Sequence, residues 1–108
     1  MPPVASLRRQ VDFARLRRQG RRFSTKSLTI YRSGVPMGDA SSLVGITVSK
    51  SIGKAVVRNK LRRRLSAIVR AALASRAAMR LLVVARPVAA DAPFSDLLAE
   101  VTSALGPT

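Results

Sequence analysis

The sequence predicts a single α+β domain, and three observations support this prediction. A chain of 108 residues has the usual length of one domain, so residues 1–108 are treated as one unit. Two segments alternate apolar with polar or small residues, as half-buried strands do, and a third is a continuous apolar run. Two other segments repeat apolar residues at helical spacing. We therefore expect a mixed β-sheet packed by a long basic helix, in the order α-β-β-α-β-α.

The first half of the chain is predicted to form a helix followed by two strands. Residues 7–19, LRRQVDFARLRRQ, indicate a basic helix that ends at Gly20, a residue suited to a left-handed C-terminal cap. Residues 26–33, KSLTIYRS, and 42–49, SLVGITVS, alternate as strands, with a loop between them at 33–42. The branched apolar face of these strands carries Leu28, Ile30, Val44, Ile46 and Val48.

Residues 53–70, GKAVVRNKLRRRLSAIVR, predict an amphipathic helix of about five turns. Its apolar stripe consists of Val57, Leu61, Leu65, Ile68 and Ala72. Opposite the stripe lie Asn59, Arg63, Ser66 and Arg70, flanked by Arg58, Arg62, Lys60 and Arg64. This segment has seven basic residues and no acidic one, so like charges stack one turn apart at a cost of a few tenths of a kcal/mol per pair. An ordinary solvated face would interleave acids, so we expect an anionic partner to cover this one.

The chain is predicted to end with a buried strand and a second amphipathic helix. Residues 80–87, RLLVVARP, are the continuous apolar run, bounded by a proline. Residues 91–106, DAPFSDLLAEVTSALG, indicate a helix that stops at Gly106. The apolar side chains of this helix are Phe94, Leu97, Leu98, Val101 and Leu105.

The charge of the chain favours a nucleic-acid partner. Twenty Lys and Arg against five Asp and Glu give a net charge of +15, which attracts polyanions. Most of the basic residues are arginines, whose planar guanidinium suits phosphates and base edges. Residues 91–108 hold three acids and no base, so this end is expected to face away from the partner.

Composition also excludes several kinds of chemistry. The chain has no Cys and no His, which rules out disulfides, the usual zinc sites and catalysis by either side chain. Asp12 and Asp39 are far apart in sequence and the other acids are near the end, so we expect no two-metal nuclease site and assign no catalytic or metal-binding residue. No stretch approaches the ~20 apolar residues of a membrane span, and the start lacks a signal-peptide core. We expect a cytoplasmic protein without a membrane partner.

Charge alone leaves other binding proteins open. A structural ribosomal protein or a general nucleic-acid chaperone would fit it equally well. A helix-turn-helix DNA binder is less favoured because no closely coupled second helix precedes the basic one. An anionic membrane surface is disfavoured because the apolar stripe has no aromatic anchor.

A specific block, VGITVSKSIGKAVVRNKLRR at residues 44–63, resembles the protein subunit of bacterial ribonuclease P. That ribonucleoprotein removes the 5′ leader from precursor tRNA. The likeness covers residues 7–105 in the order of the family's parts, which here are Asp12, Phe13 and Gly20, then Tyr31, the block itself, and LLVVARP.

The resemblance implies that the start of the long helix binds the catalytic RNA. Arg58 and Asn59 match the family's motif directly, and Arg62 and Arg63 match its basic positions. Lys60 keeps the charge of the third motif position but lacks the bidentate fork of an arginine.

The resemblance also implies a cleft between the first helix and the sheet that holds the single-stranded leader. Phe13 and Tyr31 match family aromatics, whereas Arg17 stands where a second aromatic is often found. Phe13 would be equally compatible with an ordinary core position. The strand face with Gly45 has mostly small and polar residues, which suits base stacking worth roughly 1 to 3 kcal/mol per base. We expect the cleft to be lined by Phe13, Arg17, Thr29, Tyr31, Thr47 and Lys50.

Further expectations follow from the resemblance alone. The long helix would join two parallel strands by a left-handed crossover, although about 98% of such connections are right-handed. The RNA partner would hold Mg²⁺ and hydrolyse the phosphodiester, and the protein would bind no metal tightly by itself. The expected partners are ribonuclease P RNA and precursor tRNA, with no obligate protein partner.

Overall fold

The computed structural model describes residues 4–7, 10–35 and 41–106. The middle of the predicted loop at 33–42 lies outside the described residues. The helices and strands are β1 (Val4–Ser6), α1 (Gln10–Gln19), β2 (Arg21–Ser24), β3 (Leu28–Gly34), β4 (Ser42–Thr47), α2 (Ala55–Leu73), β5 (Met79–Ala85) and α3 (Phe94–Leu105). Short 3₁₀ turns occupy Lys50–Ile52 and Pro87–Asp91.

The strands form one mixed sheet in the order β1-β4-β5-β3-β2. β5 lies parallel to β4 and antiparallel to β3, so α2 connects a parallel pair as predicted. The α+β fold and its mixed sheet are confirmed, but the edge strands β1 and β2 were not predicted. β1 is too short to show a pattern, and three of the four residues of β2 are exposed, as suits an edge strand.

Helices cover both faces of the sheet. α2 and α3 pack together on the face that carries Leu28 and Ile30, and form the main hydrophobic core there. α1 lies on the other face, where a smaller cluster is built on Leu7, Leu16 and Leu82. The predicted apolar strand face is confirmed: Leu28, Ile30, Val44 and Val48 are buried, and Ile46 is half-buried.

Both predicted apolar stripes are narrower in the structure. Val57 is 37% exposed, and Phe94 and Leu98 are 46% and 39% exposed. A helix on a flat sheet buries a limited arc, so apolar residues at the flank of that arc remain open to solvent. In α2 the buried residues are Leu61, Leu65, Ile68, Val69 and Leu73.

The two glycines that were predicted to end helices behave differently. Gly106 has a φ of 75° and closes α3 as predicted. Gly20 follows α1, but it is not among the described residues with positive φ, so the predicted left-handed cap is wrong. A Cβ at Gly20 would overlap the carbonyl oxygen of Leu16. The position therefore requires a glycine because of close backbone contact.

Several arginines hold the fold together. Arg32 Nη1 donates to the carbonyl oxygen of Leu105 at 2.6 Å, and Arg76 Nη1 donates to that of Gly106 at 2.7 Å. These carbonyls at the end of α3 lack helical partners and carry the negative end of the helix dipole, so cations satisfy them well. Arg86 likewise donates through Nη1 to the carbonyl oxygen of Thr25 at 2.5 Å. Part of the positive charge is thus structural.

Glu100 ties α3 to the turn between β2 and β3. Its Oε1 accepts a hydrogen bond from the backbone N–H of Ser27 at 2.6 Å. Burial raises the pKa of this carboxyl, but hydrogen bonds from Thr25 and Ser27 and the charge of Lys26 outweigh burial and lower the pKa overall. The ionised form is therefore favoured in the folded state.

We expect Glu100→Gln to destabilise the fold at neutral pH and to matter less in acid. The stabilisation from a lowered pKa is present above the ordinary glutamate pKa of 4.5 and is lost as pH falls through the lowered pKa. Urea unfolding of wild type and variant at pH 7 and pH 3 measures this change. Asp91→Asn, at an exposed position, is the charge-matched control. A difference in stability that does not shrink at pH 3 would contradict the assignment.

Candidate nucleic-acid interface

The outer face of α2 carries the residues predicted to bind RNA. Lys60, Arg62 and Arg63 are exposed, and Arg58 is half-buried with its Nε donating to the carbonyl oxygen of Gly53 at 3.1 Å. None of the 19 residues of α2 is acidic. The first turns of the helix therefore present a concentrated positive surface.

Asn59 is exposed at the centre of this surface and is engaged with a neighbour. Its Oδ1 accepts a hydrogen bond from Arg62 Nη1 at 2.9 Å, one turn further along α2. Asn59 can still offer its amide N–H₂ as a donor, and the second lone pair of Oδ1 as an acceptor, to a partner. This contact also orients the guanidinium of Arg62, which reduces the cost of ordering that side chain on binding.

A groove runs beside α1, over the strand face opposite α2. Phe13 and Arg17 of α1 line a cavity of about 390 Å³ together with Thr47 of β4. Arg17 is exposed, and Phe13 and Thr47 are half-buried. The structure thus brings three of the predicted cleft residues together. The remaining wall of this α1 groove is formed by Gln10 and Ala14.

Phe13 lines the groove, and its ring also packs on the sheet. It joins the cluster of Leu7, Leu16 and Leu82 beneath α1. A Cβ added to Gly45 would lie 2.7 Å from the Phe13 ring, so a glycine in β4 is needed for this close approach. Phe13 therefore packs in the smaller core cluster and also lines the α1 groove, and its role in leader binding stays a prediction.

Tyr31 lies on the same sheet face as the groove. It is half-buried against the α1 cluster and stands directly opposite Arg22 of β2. Residues paired in this way on antiparallel strands have side chains on one face, about 5 Å apart. Arg22 is exposed and thus flanks the aromatic ring. Sequence reasoning missed Arg22 because it did not predict β2.

Thr29 and Lys50 have contrasting environments. Thr29 is only 8% exposed, and its Oγ1 accepts a hydrogen bond from Arg86 Nη2 at 3.1 Å. The hydroxyl is therefore used inside the protein, and the prediction of Thr29 as a surface contact does not fit its burial. Lys50 is exposed in the turn just after β4, close in sequence to Thr47.

A second cavity, of about 230 Å³, lies between α2 and the edge of the sheet formed by β1 and β4. Arg62, Ser66 and Arg70 of α2 line it on one side. Phe13 also lines it and is thus shared with the α1 groove. The sequence placed Ser66 and Arg70 on the charged arc of the helix, but gave no signal of a cavity beside them.

The described residues contain neither a candidate metal site nor a candidate membrane span. No group of three or more acidic, histidine or cysteine side chains there could hold a metal ion. No helix within the same part of the chain is long and apolar enough to cross a membrane.

A basic helix face, together with a groove lined by Phe13 and Arg17 on the other face of a mixed sheet, is typical of a nucleic-acid-binding protein. A family model described as Ribonuclease P matches residues 1–108. The chain belongs to the family of ribonuclease P protein components. It is 40% identical to the ribonuclease P protein component of Thermobifida fusca, over 97% of this chain and 76% of that protein. It is also 40% identical to that of Acidothermus cellulolyticus, over 98% and 89%.

Solved structures share the fold. The RNase P protein of Staphylococcus aureus superposes with a TM-score of 0.82 at 24% identity, covering 93% of this chain and 91% of that one. The RNase P protein of Thermotoga maritima, in complex with 1-(4-fluorophenyl)-2-thiourea, gives a TM-score of 0.80 at 23% identity, covering 92% and 95%. At this level of identity the likeness establishes the α+β architecture.

Family membership settles the broad function. The chain is the protein component of an endoribonuclease that works with an RNA partner, and it acts in RNA binding and tRNA processing. The resemblance found in residues 44–63 is confirmed, and the family match favours it over the ribosomal, chaperone and DNA-binding alternatives.

Proposed function

We propose that the chain binds the catalytic RNA through α2 and the 5′ leader of precursor tRNA through the α1 groove. The observation that supports this most is the position of Phe13, which lines both the α1 groove and the cavity beside α2. A leader bound in the groove would therefore lie next to the RNA subunit bound on α2. The protein would extend the substrate contacts of the RNA beyond the cleavage site.

The proposed RNA surface consists of four basic residues and one asparagine at the start of α2. Their unpaired like charges destabilise the isolated helix slightly, and RNA phosphates would remove that repulsion. Arg62 is held by Asn59, so part of this surface is preorganised. The surface residues are Arg58, Asn59, Lys60, Arg62 and Arg63.

The proposed leader surface combines stacking with phosphate contacts. Phe13 and Tyr31 offer ring surfaces on the α1 side of the sheet. Arg17 beside Phe13 and Arg22 opposite Tyr31 supply cations where a strand of stacked bases would carry its phosphates. Lys50 would contact a phosphate at the end of β4. Because stacking tolerates every base, this surface would accept leaders of many sequences.

The bond cleavage itself is assigned to the RNA. The five acidic residues of the chain include three in the last 18 positions, and there is no His or Cys, so the chain offers few metal ligands. Mg²⁺ would therefore be held mainly by the RNA partner and would activate the attacking water there. The protein's share is to neutralise phosphate charge where leader and RNA approach each other.

We expect Arg58→Ala with Arg62→Ala to weaken assembly with ribonuclease P RNA without unfolding the protein. Each lost phosphate contact should make the salt dependence of the association constant shallower by roughly 0.7 to 0.9. Arg15→Ala with Arg18→Ala removes the same charge from α1, on the other face of the sheet, and should assemble more tightly than the α2 variant. Wild-type RNA affinity in the α2 variant, with unchanged circular dichroism, would reject the proposed surface.

A further inference from the structure

We propose that the cavity between α2 and the β1–β4 edge is a binding site for one unpaired nucleotide of the leader. The inference rests on the proposed leader binding and extends it past the α1 groove. The leader would cross the Phe13 ring and place one base in the cavity, with its phosphate at the guanidinium groups of Arg62 and Arg70.

The chemistry of the walls matches a nucleotide. The base would pack against the apolar side chains of the cavity. The phosphate would contact two guanidinium groups and the hydroxyl of Ser66 on the α2 side. Arg70 Nε donates to Ser66 Oγ at 3.3 Å, which places that guanidinium beside the hydroxyl. A small inorganic anion would not contact the apolar side chains of the cavity, and an apolar ligand would make no ion pair with the guanidinium groups. The apolar residues of the cavity are Leu7, Phe13, Val44, Ile46 and Val69.

The cavity lies at the edge of the sheet, where β1 ends beside β4. β1 pairs with β4 as far as Val44, where the N–H of Leu7 still donates to the Val44 carbonyl oxygen at 2.9 Å. β1 ends at Ser6, and the neighbouring β4 residues Gly45 and Ile46, which point to opposite faces of the sheet, both line the cavity. Residues of both sheet faces therefore meet in one space.

The wall that the cavity shares with the α1 groove favours the leader as the source of the nucleotide. Phe13 is the wall between the α1 groove and the cavity, so a strand in the groove reaches the cavity by passing one ring. Gly45 determines the height of that ring above the sheet, because a Cβ there would displace it. A nucleotide of the RNA subunit would instead have to enter from the α2 side.

The first test fills the cavity without changing charge. Ser66→Leu adds bulk to a half-buried residue of the cavity wall, and Ala67→Leu adds a leucine side chain at the exposed neighbouring position. Affinities are measured for holoenzymes made with ribonuclease P RNA and a series of precursor tRNAs whose leaders lengthen one nucleotide at a time, with Ca²⁺ in place of Mg²⁺. For wild type and Ala67→Leu, the affinity for precursor tRNA should rise when one particular nucleotide is added to the leader. For Ser66→Leu, this rise in affinity should be smaller by about fivefold or more.

The second test removes charge and keeps an unbranched side-chain stem. Arg70→Met should reduce affinity at the same added nucleotide, whereas Arg64→Met, a basic residue of α2 outside the cavity, should leave that step in place. This pair also decides the question if Ser66→Leu fails to fold. Equal leader-length profiles for Arg70→Met and Arg64→Met would overturn the proposal, as would a loss in RNA-subunit assembly without loss of the leader step. If wild type shows no gain with leader length at all, the proposed leader function fails as well.

Discussion

Replacing Phe13 and Tyr31 together with alanine is expected to weaken precursor tRNA binding by at least tenfold. Two ring surfaces on the α1 side of the sheet are lost, and base stacking contributes about 1 to 3 kcal/mol per base. Mature tRNA lacks the leader and should be affected much less. Assembly with the RNA subunit should persist, because α2 is unchanged. Both affinities are measured for the holoenzyme with Ca²⁺ replacing Mg²⁺ to slow cleavage.

The control for this variant must separate stacking from folding. Both rings are half-buried, so circular dichroism and urea unfolding are needed to show that the variant is folded. Phe94→Ala removes an aromatic ring that is 46% exposed on α3, away from the α1 groove, and should change neither affinity. An equal loss for precursor and mature tRNA, or no loss for either, would reject the assignment of the groove to the leader.

Leu65→Ala is expected to lower the free energy of unfolding by about 2 to 5 kcal/mol. Leu65 is 0% exposed at the centre of the buried side of α2, so its truncation leaves a cavity as well as losing apolar contact. Arg63→Ala, two residues earlier on the exposed side, should cost almost nothing in stability. Urea unfolding at pH 7 compares the two, and the opposite ranking would show that the face assignment of α2 is wrong.

Most of the fold could be predicted from the sequence because its main elements have strong patterns. β4, β5 and α2 sit where alternation, a continuous apolar run and a helical stripe placed them. β2 was missed because the sequence RRFS has no alternation of apolar and polar residues, and its order comes from pairing with β3. Pairing across a sheet is a long-range property that a local pattern does not contain. The handedness of the crossover between β4 and β5 stays a prediction.

The candidate site could be predicted where one residue type carries the chemistry. The basic face of α2 follows from the helical period, and the structure keeps it exposed at Lys60 and Arg63. The groove was harder, because burial depends on neighbours from other elements. Thr29 lies on the predicted face of the sheet, but Arg86, the residue after β5, donates a hydrogen bond to its hydroxyl. The cavity at Ser66 could not be predicted either, because its walls come from α1, α2, β1 and β4, which are brought together only by the fold.

Recognition of the leader by the protein can be tested by comparing tRNAs with and without it. The most direct measurement is the Kd of precursor and mature tRNA, each for ribonuclease P RNA alone and for the same RNA with the wild-type protein, in Ca²⁺. We predict that the protein lowers the Kd of precursor tRNA by at least tenfold more than that of mature tRNA, because stacking on Phe13 and Tyr31 requires the leader. A protein that tightens both tRNAs by the same factor would contradict this account.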